Sequence, residues 1–504
     1  MLSVCRASRP DGSPADRAGM TASDHQTAPA PAAAALAIPG LFTLAWPIFA
    51  EQALHLATGI TDTLLASHIS DEAVGGLGSA WQIIYMLMLV FNVLAVGSSI
   101  VISHHLGTGD AAGARRMVRG AVATNLWIGL VFSVGVGFAA PTLLRWAQLP
   151  PGPMGYALPF MQWMGGTLFL ESMNFGLSAA LRAHGRTREV MWTMLAQNVF
   201  NAAVSAVLMF GLLGAPAMGV TGVAVATACS RALACAALWW FTSRHIGYRF
   251  RLGDLVSINR RDLGRLLHFG VPAVIENMSW FGAFILITAL TARMGAQTLA
   301  TQAYVMQVAT VVMLFGASVG LGNEILVGRL VGAGEFDAAY HRCLAHMKLG
   351  LIWTTVFAAA AALAGPWLIR IFSADPVIVQ TGILLIAVGV VLEPGRSFNL
   401  ILITALRACG DTRFPLVMGL LSQWGLMAFG GWFFGTHLGW GLPGVWLAFV
   451  ADEWVRGLLM LRRWRQRRWV GHARAAQAQA QRQGPLSVVP EISPHEGPLA
   501  APHA

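Results

Sequence analysis

Charge is scarce in this chain: of 504 residues only 11% are charged, against 56% hydrophobic, and the mean hydropathy is +0.61. That scarcity excludes a string of soluble domains, which length alone would allow, and leaves a polytopic membrane protein. Cysteine is sparse as well. Cys5, Cys229, Cys235, Cys343 and Cys409 form no CxxC and no closely spaced even set, so a disulfide framework or metal ribbon is excluded and packing roles remain. Short alternating strands are absent, which removes a membrane barrel. There is no HExxH and no paired-aspartate motif, so the sequence gives no support to an intramembrane hydrolase. Residues 1–35, rich in Ala, Pro, Ser and Asp, lack the apolar stretch of a signal peptide and are expected to be disordered, with Met20 an alternative start.

What is present is a set of apolar segments between Leu36 and Leu461, about twelve of them, each long enough to cross a bilayer as a helix. The expected helices run over 38–66, 76–103, 117–140, 155–181, 190–213 and 219–242, then 266–292, 300–329, 343–366, 376–406, 414–436 and 441–461. The second set copies the first. Pro272 and Glu276 repeat Pro47 and Glu51 at a spacing of 225 (272 − 47), and the register holds without a gap. Gln82 maps onto Gln307, Gly97 onto Gly322, GTGD at Gly107 to Asp110 onto GAGE at Gly332 to Glu335, and ALRAHGRTR from Ala180 onto ALRACGDTR from Ala405.

Six helices per copy is an even number, so the copies share one orientation and are related by an axis along the membrane normal. The fold class is therefore all-α and polytopic, with about twelve transmembrane helices in two six-helix bundles related by pseudo-two-fold symmetry. The bundles cover 36–242 and 266–461, joined by a polar, basic linker at 243–265 and followed by a basic tail at 462–504 that is expected to be disordered. Such an arrangement places a cleft between two like bundles. Rocking one against the other exposes that cleft alternately, which is the work of a transporter; a channel needs a continuous polar pore through a symmetric oligomer. One chain carries its own pseudosymmetric pair, so a monomer is expected to function.

The net charge of +10 follows from topology. Arginines gather on alternate connections (Arg115, Arg116 and Arg119; Arg182, Arg186 and Arg188; six from Arg244 to Arg265; Arg407 and Arg413), while the others carry none or singletons such as Arg145, Arg293 and Arg370. The positive-inside rule then puts both termini in the cytoplasm and the protein in a bacterial cytoplasmic membrane. RRWRQRRW at Arg462 to Trp469 reads as cations facing anionic lipid with tryptophans at headgroup level, so membrane lipid rather than nucleic acid is the expected partner.

Ionisable groups inside the spans carry the functional signal, because a charged side chain at a helix centre costs about 2.5 to 3.5 kcal/mol on insertion scales. A carboxyl that is neutral when dry and charged when wet is a proton carrier by construction, since alternating access changes its hydration. A sodium site would need several converging oxygens. Asp62 has Thr58, Thr61 and Thr63 close by in sequence, and Asn198 and Asn201 share a face of the fifth helix at i, i+3 spacing. Asp62, Asn198 and Asn201 are the candidate cation-coupling group. Glu51 and Glu276, one turn beyond matching prolines, are candidates for the substrate cleft together with Gln82, Gln307, Trp280 and Tyr304. Glu171 and its repeat equivalent Arg396, with Glu393 beside that arginine, are secondary candidates; Glu324, Asp452 and Glu453 read as structural. Adjacent His104 and His105 point to different sides, which disfavours a metal site, and no cofactor is expected.

Pro47, Asp62 and Thr63 in the first helix, GxGD or GxGE after the second and eighth, and LRAxGDTR at Leu406 to Arg413 resemble the MATE family of multidrug and toxic compound extrusion transporters, from about Leu36 to Leu461. The resemblance implies a twelve-helix, two-lobed antiporter that exports organic, often cationic, small compounds against protons or sodium. It also implies that Asp62 is the family's helix 1 acid, that Asn201 is its helix 5 polar position and that Ser205 stands where some relatives have a second acid. Arg396 falls where several relatives carry a helix 10 acid, and Glu276 sits about a turn before their helix 7 acid. These departures favour protons through Asp62. The alternative reading is a flippase for a lipid-linked oligosaccharide, which would want an arginine-rich cleft; only Arg396 is expected to lie deep. GASVG at Gly316 to Gly320 fits a GxSxG pattern but lies inside a membrane helix, where small residues serve packing.

Overall fold

A computed structural model describes residues 40–247, Gly253 and 259–482. The expected disorder of residues 1–35, the middle of the linker and the end of the tail lie outside the described residues. The elements in order are α1 (Leu41–Ser67), α2 (Asp71–Gly107), α3 (Ala111–Trp146), α4 (Pro151–Gly166), α5 (Leu168–Ala183), α6 (Thr187–Phe210), α7 (Val220–Ile246), α8 (Arg260–Arg293), α9 (Ala296–Ala333), α10 (Phe336–Phe372) and α11 (Pro376–Ala408). Next comes α12 (Arg413–Ser422), which runs on through π-helical turns at Gln423–Phe429 and Phe433–His437 around α13 (Gly430–Trp432). The last two are α14 (Gly441–Arg465) and α15 (Val470–Gln481).

Among the described residues nine helices, counting 413–437 as one, are long and apolar enough to cross a membrane. Three further crossings complete the twelve. In α1 and α14 the apolar run is interrupted by buried acids, Glu51 and Asp62 in one and Asp452 and Glu453 in the other. The third is the pair α4 and α5, where the sequence predicts a single helix over 155–181 and the structure breaks it at Thr167. Gly165 and Gly166 weaken the helix there, and the Ser133 hydroxyl accepts from the freed Phe169 N–H at 2.9 Å.

The duplicated loops are turn chemistry. Gly109 and its equivalent Gly334 hold φ of +77° and +81°, the left-handed conformation that ends a helix and that glycine adopts without strain. In the first copy Asp110 then starts the next helix by accepting from the Gly113 N–H at 2.8 Å.

α1 to α7 form one lobe and α8 to α14 the other, and they meet along α1, α2, α8 and α9. The seam is tightest at the basic end, where α2 and α9 finish. There Gly107 lies against the Arg329 carbonyl and Gly332 against the His104 carbonyl, with no room for a side chain at either. Hydrogen bonds cross the seam at two equivalent positions. His104 Nε2 donates to the Ala408 carbonyl at 2.7 Å, and Arg329 Nη2 donates to the Ala183 carbonyl at 2.6 Å. Towards the opposite end contact thins to ring pairs, Phe49 with Phe315 at 6.1 Å and Tyr85 with Phe281 at 6.0 Å.

The tail departs from its expected disorder. α14 extends to Arg465, and Val470–Gln481 is helical because its Ala, Arg and Gln are good helix formers and because it docks on α2 and α9, burying Ala473 and Ala480. Trp464 and Trp469, expected among headgroups, are instead fully buried and stacked on each other at 4.4 Å. The linker is shorter than 243–265, since α7 runs to Ile246 and α8 begins at Arg260.

Candidate transport site

In the first lobe Asp62 is fully buried, and neither of its carboxyl oxygens has a hydrogen-bond partner among the described residues. One turn before it, Thr58 donates to Asn198 Oδ1 at 2.6 Å. Helices α1 and α6 run in the same direction, so stepping one turn along each from that contact brings Asp62 level with Asn201. Asn201 donates to Thr227 Oγ1 on α7 at 2.9 Å, and the buried Ser205 hydroxyl lacks a partner. Asn198 and Asn201 thus stand in Asp62's surroundings but are engaged by threonines rather than by the acid.

Deeper in the same lobe a polar cavity of about 160 Å³ is lined by Glu51, His55, Glu171, Asn174, Arg182 and Glu324, among others. Arg182 Nη1 donates to Glu51 Oε1 at 2.5 Å, and Arg231 Nε lies 3.1 Å from Glu171 Oε2. Glu51 therefore faces a cavity, as a paired rather than a free acid. Its repeat equivalent Glu276 is buried against Arg407 Nη2 at 2.6 Å, with Arg456 at 3.8 Å. Glu393 pairs with Arg396 at 2.8 Å, and Arg396 also reaches Glu453 at 3.4 Å. Asp452 and Glu453 are held by Arg456 at 2.6 and 3.2 Å.

The polar and aromatic cleft candidates divide. Gln82 and Gln307 are exposed on the two lobes, and Gln307 lines an apolar cleft of about 650 Å³ with Phe49, Ile60, Phe315 and Phe357. Trp280 is half-buried and stacks on Phe284 at 5.2 Å; Tyr304 is half-buried and stacks on Phe372 at 5.1 Å. Neither ring touches Asp62 or its neighbours.

Sequence reasoning missed four arginines. The sequence reading places Arg182 and Arg407 on cytoplasmic connections and singles out neither Arg231 nor Arg456. The signal was available: Arg182 and Arg407 are repeat equivalents, as are Glu51 and Glu276, so each lobe offers one acid and one arginine 131 residues apart. The expectation that only Arg396 lies deep is likewise corrected, since Arg231, Arg407 and Arg456 are buried too. Each of these is neutralised by a carboxylate, whereas the buried Arg329 is held by the Ala183 carbonyl.

Two like-oriented bundles, a seam clamped at one end and carboxyls buried within the helices define a two-lobed membrane transporter. The MatE family model matches residues 47–207 and 272–433, so its two matches begin on the repeat's own prolines. An uncharacterized transporter of Bacillus subtilis (strain 168), YisQ, is 38% identical over 434 residues, covering 85% of this chain and 94% of that one. The probable multidrug resistance protein NorM of Chromobacterium violaceum is 28% identical over 83% and 91% of the two chains. A crystal structure of MATE in the bent conformation superposes with a TM-score of 0.78 at 17% identity, covering 88% of this chain and 96% of that one. The chain belongs to the MATE family and is a membrane efflux transporter, not an enzyme.

Proposed function

We propose that the chain exports organic, lipophilic cations across the bacterial cytoplasmic membrane in exchange for protons, with Asp62 as the coupling acid and the basic end facing the cytoplasm. The observation that carries this reading is Asp62 itself: a fully buried carboxyl with no hydrogen-bond partner among the described residues, in a lobe whose cavity-lining acids, Glu51 and Glu171, each hold an arginine. An unpartnered acid in a dry site has a reason to hold a proton and a reason to lose it when water enters. Protons fit better than sodium because the nearby oxygens of Thr58, Asn198 and Thr227 are already engaged with one another or with backbone. Charge pairing argues against a phosphate-gripping flippase, since the buried Arg231, Arg396, Arg407 and Arg456 are each matched by a carboxylate. Substrate would sit in the seam near Gln82, Gln307, Trp280 and Tyr304, with the apolar cleft beside Phe315 suiting a lipophilic body. Membrane lipid is the other expected contact, and one chain supplies both lobes.

The test is ethidium efflux from energised cells, wild type beside Asp62→Asn. Efflux that collapses with a protonophore, ignores sodium and is lost in the variant supports the reading. Efflux that follows sodium or survives Asp62→Asn overturns it.

A further inference from the structure

Glu324 lies on the seam where the repeat meets itself, as Gly107 and its equivalent Gly332 also do. It lies 225 residues after Ser99 (324 − 99), so the two are repeat equivalents, and both line one cavity at the seam between α2 and α9. The pseudo-two-fold axis therefore passes between them. Glu324 is only 2% exposed, and although it belongs to the second lobe it lines the first lobe's polar cavity.

The charged groups around it are all committed elsewhere. Arg182 of α5 holds Glu51 of α1, and Arg407 of α11 holds Glu276 of α8, each by one short ion pair. On its own helix Arg329 donates both Nε and Nη2 to the Ala183 carbonyl, and His104 of α2 donates to the Ala408 carbonyl. His55 and Glu171 line the same cavity further in and are matched with each other at 4.0 Å, with Arg231 on Glu171. Glu324 thus lines the cavity without an ion pair of its own among the described residues, beside a guanidinium that is already neutralised and the neutral Ser99 hydroxyl.

This position changes when the lobes part. The contacts around Glu324 belong to the clamped end: Gly322 lies against Leu41 and Leu44, Gly328 against Ser103 and Gly332 against His104. Separating the lobes there withdraws Glu324 from Ser99 and admits water. We propose that Glu324 is a proton-exchanging gate residue: closure of the basic end buries its carboxyl in the protonated form against Ser99, and opening of that end hydrates it and releases the proton to water on the same face. This rests on reading the chain as an alternating-access transporter, but not on Asp62 as its coupling acid.

The sign follows from proton counting. The closed end holds one more proton than the open end, so raising pH favours opening, and one such group changes the closed-to-open ratio by up to about tenfold per pH unit. Spin labels at Ala112 and His341, exposed at the basic end of the first and second lobes, report that ratio as a distance distribution. Cys5 and Cys229 would be replaced first, since Cys229 is exposed. Wild type is expected to lose the short-distance population as pH rises. Glu324→Gln, the same size and permanently neutral, is expected to keep it with a flat profile; Glu324→Asp is expected to restore titration, which shows that the site tolerates substitution. Asp62→Asn is expected to leave the basic-end profile in place, so a failed coupling assignment and a failed gate assignment give different results. A wild type without pH dependence, or a Glu324→Gln profile that matches wild type, overturns the inference.

Discussion

Removing Arg182 should damage the protein more than removing Arg407, although the two are repeat equivalents. Among the described residues Arg182 is the one cation paired with Glu51, and Glu51 Oε2 already lacks a hydrogen bond. Arg182→Met leaves that acid buried and uncompensated, a loss of the kind that costs about 3–5 kcal/mol. Arg407→Met leaves Glu276 with Arg456 at 3.8 Å, which can close in, so a loss of roughly 1–3 kcal/mol is expected, near the value of a buried hydrogen bond to a charged group. Pairing Arg182→Met with Glu51→Gln removes both charges and should recover most of the loss, because a buried pair contributes little net stability once its desolvation is counted. The assay is thermal unfolding of purified protein in detergent, followed by tryptophan fluorescence. For a unit of roughly 150–250 residues each kcal/mol moves the midpoint by about 2–4 °C. Equal shifts for the two single variants, or a double variant no better than Arg182→Met, would refute the assignment of Arg182 as sole partner.

Two further outcomes bear on the basic end. Trp469→Ala should lower the unfolding midpoint in lipid-free detergent, because it removes a fully buried ring stacked on Trp464 and an indole N–H donating to the Trp464 carbonyl at 3.1 Å; a loss of about 3–5 kcal/mol is typical of such a truncation, and an unchanged midpoint would return this residue to the headgroup region. His184, in the turn after α5, is pushed down to about 4 by burial first and then by the charges of Arg329, Arg115 and Arg186. The unfolded chain takes up that proton below about 6.5 and the folded chain only near 4, so stability is present above this window and falls as pH drops through it. His184→Gln should flatten that part of the stability profile relative to wild type, and an unchanged slope would show that other groups set it.

Helix number, the twofold repeat and the spanning character were legible because hydrocarbon leaves a chain few choices. Each crossing needs a long apolar run, and a gapless 225-residue register survives in prolines, glycines and loop motifs that turn geometry demands. Helix ends were less legible. The break at Thr167 depends on Ser133, 36 residues away, accepting a backbone N–H, and α15 is stabilised by α2 and α9, not by any apolar run of its own.

The sequence by itself therefore determined an all-helical, duplicated membrane transporter and singled out Asp62 as an acid in an apolar run. Only the tertiary structure decided which acids are free. Glu51, Glu171 and Glu276 look like Asp62 in one dimension, yet arginines from helices far along the chain pair with all three, whereas Asp62 has no ion pair or hydrogen bond among the described residues. Glu324 reads as structural from sequence, whereas folding places it at the seam in a cavity it shares with its own repeat equivalent Ser99. The physical reason is range: hydropathy and turn chemistry act within a few residues and are written locally, whereas compensation of a buried charge is settled by whichever partner packing brings within about 4 Å.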